Sequence, residues 1–585
     1  LTTTYNKSPE VRISGHDSDC FAGWPAVILQ LKTALSSLTG SRKSIVVECY
    51  QGVNDEELLT NLVNGLLPAA VIRSEELMLP QDAILALTEP DVTDDRIFGH
   101  ITRLSMNSFM DLSGLEEVQA RIRKEKETVL IYGPGASLIE PDPGILIYAD
   151  MARWEIQLRM RRHETHNLGL DNASEGIEAQ YKRGFFVDWR VCDRMKKQLM
   201  NRWNYVLDTN LRDQPRMITG KAFHAAMQQV VQRPFSVVPY FDAGPWGGQW
   251  MKEKLGLDPE SRNYAWCFNC VPEENSLYLV FGNTRFETPS VNLVFTQSRK
   301  LLGDPVQARF GDEFPIRFDY LDTMGGGNLS LQVHPLTDYI REEFGIPYTQ
   351  DESYYLMDAG SEANVFLGLK EGINPQEMAE ELLASESTGR MFDDSLFVNR
   401  WPARKHDHFL IPGGTVHCSG KDCMVLEISS TPYIFTFKLW DWGRMGLDGK
   451  PRPININRGL ANIQWYRTSA WVKENLLNRV ETVSEGEGWK EEKTGLHERE
   501  FIETRRHWFS GKVQHDTSDG VNVLALVEGE QVLVESPSGA FGPFEVHYAE
   551  VFIVPAAVGK YTIRPYGPSE GKECATIKAY VRTKG

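Results

Sequence analysis

The chain has 585 residues, 41% of them hydrophobic and 10% aromatic, and a formal net charge of −18 at pH 7. Ordinary domain sizes put about four domains in that length. An acidic surface argues against a nucleic-acid partner, and the lack of any run of about eighteen apolar residues argues against a membrane-spanning segment.

Eight cysteines spread over so long a chain do not form a disulfide framework. The start, Leu1-Thr2-Thr3-Thr4-Tyr5, has neither a charged nor an apolar leader region, so a reducing cytoplasm is the expected location.

From the N-terminus, Ser44–Tyr50, Thr128–Gly133 and Gly144–Asp150 read as buried strands, and Asn54 followed by Asp55-Glu56-Glu57-Leu58 reads as a capped helix start. Strands alternating with helices predict an α/β domain with a parallel sheet over residues 1–230. The strand ending in Asp150, the arginine-rich helix after it (Arg153, Arg159, Arg161, Arg162) and the strand Tyr205–Asn210 resemble the lid side of P-loop nucleoside kinases.

The phosphate loop itself is lost. Cys49-Tyr50-Gln51-Gly52-Val53-Asn54-Asp55-Glu56 offers one glycine, no lysine and several acids, where amides and a lysine would cradle phosphate. Gly133-Pro134-Gly135-Ala136 reads as a strand-to-loop turn in preference to an anion nest. The expectation is a degenerate kinase-like domain that regulates, dimerises or binds an anion.

Further along come Pro245-Trp246-Gly247-Gly248, then Cys267-Phe268-Asn269-Cys270, whose alternating context predicts a strand with no redox role. The most informative stretch is Gly326 to Pro335. On an extended strand Gln332 and His334 share a face, which suits a metal held by an amide oxygen and an imidazole. Glu352 and, in Pro412-Gly413-Gly414-Thr415-Val416-His417, His417 complete a four-ligand set. Two imidazoles and two oxygen donors without thiolate suit zinc first, with iron, manganese, cobalt or nickel as alternatives. Cys418 and Cys423 read as buried small hydrophobes, and Asn374-Pro375 opens a helix inserted in the β scaffold.

Gly326, five residues, Gln332-x-His334, then His406, five residues, Pro412-x-Gly414-x-x-His417 resembles the two-part metal signature of cupin barrels. Gln332 replaces the first histidine and His406 the second motif's glycine. With Ser330-Leu331-Gln332-Val333-His334-Pro335, Glu352-Ser353-Tyr354-Tyr355, Asp441-Trp442-Gly443-Arg444 and Gly449-Lys450-Pro451-Arg452, residues 235–585 resemble the type I mannose-6-phosphate isomerases.

That resemblance implies zinc on Gln332, His334, Glu352 and His417, with Glu427, Lys438 and Arg444 as catalytic candidates. Ser330 and Arg452 become substrate contacts. Lys438 stands where the family carries arginine, with Phe437 as rival occupant; Gln350 replaces a lysine and Asn455 a histidine. The implied activity is metal-dependent aldose–ketose isomerisation of a sugar phosphate, mannose 6-phosphate/fructose 6-phosphate, through an enediol. The alternative is a sugar-phosphate-binding regulatory protein. The expected partner is a small-molecule sugar phosphate, with homodimerisation left open.

Three domains are expected: 1–230 α/β kinase-like, 231–495 a metal-binding cupin barrel with a helical insertion, and 496–585 a small C-terminal cupin barrel. Glu485–Lys493 reads as a charged linker. The last barrel, with Gly559 where a histidine would stand, has packing as its expected role.

Overall fold

The computed structural model describes residues 4–38, 43–430, 435–445, 452–495, 500–518 and 520–583. The expected motif residues Gly449, Lys450 and Pro451 lie outside them. The chain forms two compact units, one of Glu10–Val230 with Pro272–Thr296, the other of Leu1–Pro9, Val231–Val271 and Gln297–Gly585. Among the described residues no helix is long and apolar enough to cross a membrane.

In the first unit a seven-stranded sheet runs in the order Cys20–Ala22, Arg216–Thr219, Tyr205–Asp208, Ile145–Asp150, Lys43–Cys49, Thr128–Gly133, Ala70–Arg73. The last five are mutually parallel, Arg216–Thr219 runs antiparallel to them, and Cys20–Ala22 pairs antiparallel with Arg216–Thr219. Ile45, Val46 and Val47 are all buried, as expected of a central strand covered on both faces. Val27 and Leu31 of the helix Trp24–Ser36 pack with Leu58 and Leu62 of the helix Asp55–Leu66 against it. Asn54 caps the latter helix by accepting from the Glu57 amide.

The carboxyl ends of these strands, where open α/β sheets bind ligands, are filled by the chain's own groups. Glu48 accepts from the amides of Gly135 at 2.6 Å and Ser137 at 2.8 Å, so the glycine turn holds an internal carboxylate. Lys196 pairs with Asp150 at 2.8 Å, and Tyr50 donates to Asp193, which also pairs with Arg153. Arg159 donates to the carbonyls of Gly52 and Thr209. Arg153 and Arg159 are thus structural, while Arg161 and Arg162 are exposed.

The second unit contains two pairs of sheets. A six-stranded sheet (His408–Ile411, Glu352–Ala359, Cys423–Ser429, Arg317–Asp322, Trp266–Cys270, Tyr240–Asp242) accompanies a five-stranded one (Val398–Pro402, Asn364–Leu369, His417–Ser419, Leu331–Val333, Phe437–Trp440). The C-terminal pair has a six-stranded sheet from Glu481–Gly486 to Val551–Val554 and a four-stranded sheet of Val513–His515, Tyr561–Pro565, Gln531–Glu535 and Phe544–His547.

The expected barrels are corrected to open sheet pairs, because among the described residues no ladder joins one sheet to its partner. The expected linker is also corrected. Glu481–Gly486 and Trp489–Gly495 form a hairpin whose second strand joins the C-terminal sheet, with Glu491 opposite His507 and Lys493 opposite Arg505. The carboxylates of this strand meet cationic or titratable partners across the ladder, Glu492 with Arg506 at 2.7 Å and Glu491 with His507 at 3.2 Å, while Lys493 faces the like-charged Arg505. The inserted helix is Pro375–Thr388, capped by Asn374.

Candidate metal centre

The strand Leu331–Val333 is short and wholly buried. Its neighbours put Gln332 opposite His417 on one side and opposite Lys438 on the other. Facing pairs share a side of the sheet, so these three side chains project together. The two halves of the motif are tied through the backbone: the Gly414 amide donates to the His334 carbonyl at 2.8 Å. Gly414 has φ of 84° and a Cβ there would stand 2.8 Å from the Asn462 carbonyl oxygen, so glycine is required.

From the opposing sheet Glu352 enters the same space. Its Oε1 lies 2.8 Å from His417 Nε2 and its Oε2 lies 3.0 Å from His334 Nε2. The ligand atoms of His334, Glu352 and His417 all fall within 4.8 Å of one another. Gln332 Nε2 stands 3.2 Å from His417 Nε2, and rotating that amide by half a turn presents its oxygen instead. All four residues are buried.

Both imidazoles are held from behind. His334 Nδ1 lies 3.1 Å from the Phe435 carbonyl and His417 Nδ1 lies 2.8 Å from the Thr415 carbonyl. A carbonyl accepts only, so each Nδ1 carries the proton and each neutral ring turns its Nε2 lone pair inward. Neither His334 Nε2 nor Glu352 Oε1 has an aligned hydrogen-bond partner despite the short distances. Acceptors converging on acceptors need a cation between them. Two imidazoles, a carboxylate and an amide oxygen could hold a divalent metal ion.

Electrostatics agree. Burial pushes the Glu352 carboxyl up, yet His334 and His417 together hold it well below the ordinary range. Burial pushes His334 down, and Glu352 more than offsets it. The site therefore stabilises negative charge on Glu352 whenever positive charge is beside it.

Around this cluster, Glu427 lies on the strand Cys423–Ser429, opposite Tyr354 and Asp319. Gln350 donates to Glu352 at 3.0 Å and reaches Glu427 at 3.5 Å, linking the two carboxyls. Burial, with Asp319 and Glu352 adding to it, pushes Glu427 well above the ordinary carboxyl range. Asp319 is pushed up to about 7 by burial, against the opposing pull of Arg317.

Lys438 shares the Gln332 face, whereas Phe437 packs against Tyr339 and Phe344 of the helix Thr337–Phe344. Ser330 is buried two residues before Gln332. Arg444 pairs with Asp441 at 2.6 Å and donates to the Asn328 carbonyl, and Arg452 pairs with the same Asp441 at 2.9 Å. Both arginines brace a turn. The Asn455 amide donates to the Lys438 carbonyl at 2.7 Å. His406 takes φ of 73°, the left-handed backbone that the motif's glycine would supply, and bonds Tyr355 and Glu528.

Sequence reasoning passed over Arg317, Asp319 and Tyr354, whose register puts them on the Glu427 and Glu352 face. The segment Arg317-Phe318-Asp319 carried the signal, two charged residues two apart on one face of a buried strand.

Comparison with known proteins adds the following. Residues 23–232 match a family described as a domain of unknown function (DUF8485). YvyI of Bacillus subtilis (strain 168), whose name assigns it provisionally to the mannose-6-phosphate isomerases, is 20% identical over 57% of this chain and 97% of its own length. Mannose-6-phosphate isomerase ManA of the same organism is 26% identical over 40% of this chain and 68% of its own. Among solved structures, the mannose 6-phosphate isomerase from Bacillus subtilis covers 60% of this chain and all (100%) of its own at 18% identity, with a TM-score of 0.48. Over rather more than half its length, this chain is similar to mannose-6-phosphate isomerases.

Proposed function

We propose that the protein is a metal-dependent aldose–ketose isomerase acting on a sugar phosphate, with mannose 6-phosphate/fructose 6-phosphate as the first pair to test. The observation that carries this reading is the convergence of the His334 and His417 Nε2 atoms on Glu352 with both Nδ1 atoms held by carbonyls. The sequence similarity to mannose-6-phosphate isomerases supplies the reaction class. Gln332, His334, Glu352 and His417 would hold the ion, which when bound polarises the oxygens that gain negative charge as an enediol forms.

Moving a proton between the first two sugar carbons then needs an acid/base group beside the ion. Glu427 is the candidate. Its carboxyl sits among Asp319, Gln350 and Glu352 in a buried setting that favours the protonated form, as suits a group that gives a proton. Lys438, on the Gln332 face, is the candidate cation for an enediol or phosphate oxygen. Ser330 is proposed as a phosphate contact beside it. Arg444 and Arg452 act by bracing the turn through Asp441.

The commitment of those two arginines to Asp441 favours one second reading, a sugar-phosphate sensor that binds without turnover. The α/β unit, its crevice filled by Glu48, Arg159 and Lys196, is proposed as a degenerate kinase-like accessory that transfers no phosphoryl group. Metal-loaded protein incubated with mannose 6-phosphate or fructose 6-phosphate in heavy water tests the isomerase. The expected result is interconversion, with deuterium entering the first carbon of fructose 6-phosphate formed from mannose 6-phosphate and the second carbon of mannose 6-phosphate formed in the reverse direction. Thermal stabilisation by these ligands without any product would support the sensor and overturn the enzyme.

A further inference from the structure

The interior of the C-terminal sheet pair changes character along its length. One end is a core of Phe509, Leu526, Val534, Phe552 and Ile563. Toward the other end the same inward face turns polar, because register aligns Glu491, His507 and Thr576 in one row and sets Arg505 opposite Lys578 in the next. From the facing sheet come His515 and Tyr561, paired across their strands. The rings of His507 and His515 meet with centroids 4.4 Å apart, and His515 stacks on Tyr561 at 5.0 Å with an interplanar angle of 13°. A sandwich that needed only to pack would fill this end with aliphatic side chains.

This polar end opens as a cavity of about 790 Å³, within the size range of small-molecule sites. His515 is 5% exposed, and neither of its ring nitrogens has a protein partner; Nδ1 of His507 also lacks one. Buried imidazole nitrogens left unpaired are costly. Burial pushes His507 down to about 4 and His515 well below its ordinary range, so both rings are neutral; His515 offers one donor and one acceptor, and His507, whose Nε2 donates to Glu491, offers Nδ1 as an acceptor. Hydroxyl groups match that pattern.

Charge selects the rest of the ligand. Arg505, Lys512, Lys560 and Lys578 line the cavity against three carboxylates. Arg505 faces Glu491 at 3.5 Å and Lys512 faces Glu535 at 3.1 Å, and Glu535 is also held by Arg564, outside the lining, at 3.1 Å. In a chain of net charge −18 this is a locally cationic hollow. Stacked His515 and Tyr561 provide a flat wall for the carbon face of a sugar.

We propose that this cavity is a second ligand site, separate from the metal centre, that takes a small polyhydroxylated anion: a sugar phosphate or a sugar acid. The cations receive the anionic group, and the two imidazoles receive hydroxyls.

Isothermal titration calorimetry on the full chain tests it, using inorganic phosphate, gluconate and a hexitol 6-phosphate that has no carbonyl to isomerise. Saturable binding of gluconate or of the hexitol phosphate is expected, and the tighter of the two tells a carboxylate from a phosphate site. The variants Lys578→Met and His515→Phe, the latter keeping the stacked ring, should each weaken binding about tenfold or more. Lys560→Ala, on the exposed rim, should weaken it without touching the interior, which covers the case in which a buried variant fails to fold. His417→Ala should leave this binding in place. No saturable heat up to roughly 10 mM, or binding abolished by His417→Ala and indifferent to the cavity variants, would overturn the proposal.

Discussion

Glu352→Gln should invert the order of stability between metal-loaded and metal-stripped protein. Glu352 is the one charged group of the four, 1% exposed and within 3.0 Å of two imidazole nitrogens. Stripped of metal, the native chain must bury that carboxylate with no ion beside it, a situation that costs several kcal/mol unless protons are taken up. A glutamine in its place carries no charge and can donate to one inward-facing Nε2. The variant in chelator should therefore equal or exceed the native chain in chelator, by roughly 1–3 kcal/mol.

With metal present the order reverses. Free ion at about a thousand times Kd stabilises the native chain by about 4 kcal/mol, or roughly 8 °C at about 2 °C per kcal/mol for a large domain. Loss of the carboxylate ligand should remove most of that gain. Calorimetric melting of both proteins with zinc and with chelator gives four temperatures that must cross. If the variant keeps the full zinc-dependent shift, or melts several degrees below the native chain under both conditions, the reasoning fails.

Glu427→Gln should lower kcat by roughly 10²–10⁴ while metal content stays unchanged, measured by turnover alongside elemental analysis; equal turnover would remove Glu427 from the chemistry. In the α/β unit, burial pushes Glu48 up to about 7 from an ordinary value near 4.5. A raised carboxyl contributes stability that is complete below the unfolded value and lost as pH rises through the folded one. That loss, about 3 kcal/mol between roughly pH 4.5 and 7, should be absent in Glu48→Gln, as read from urea unfolding of the α/β unit across that window. Gly248→Ala puts a Cβ 2.1 Å from Asp322 Oδ1 and 2.7 Å from the Met324 amide. It should displace Asp322 from the Met251 and Met324 amides, bonded at 2.8 and 2.9 Å, and cost roughly 2–4 kcal/mol in chemical denaturation.

The meeting of Gln332, His334 and His417 was legible because these residues sit at fixed offsets from glycines that the backbone cannot replace. Gln332 and His334 share a strand face, and Gly414 binds back to His334, so spacing carries the geometry. Buried runs such as Ile45-Val46-Val47 likewise announce a central parallel strand. Partner identity was less legible. Nothing local in Arg444 or Arg452 shows that both would meet Asp441, and Glu48 met the Gly135 turn from 87 residues away.

Long-range register also decided the rest. Glu485–Lys493 looked like a linker because Glu491 and Glu492 meet His507 and Arg506 only through pairing with the Ile502–Phe509 strand. The interior row of Glu491, His507 and Thr576 appears only when three strands are aligned. A left-handed histidine such as His406 in place of glycine is a matter of tolerated backbone strain, invisible to composition.

The most direct test is anomalous diffraction from crystals grown with zinc and recorded on either side of its absorption edge. One peak should lie about 2.0–2.2 Å from His334 Nε2, His417 Nε2, a Glu352 oxygen and the Gln332 amide oxygen. If that space yields no peak, with the ion bound elsewhere or not at all, then the cluster is a proton-bridged pair of histidines and the isomerase assignment loses its foundation.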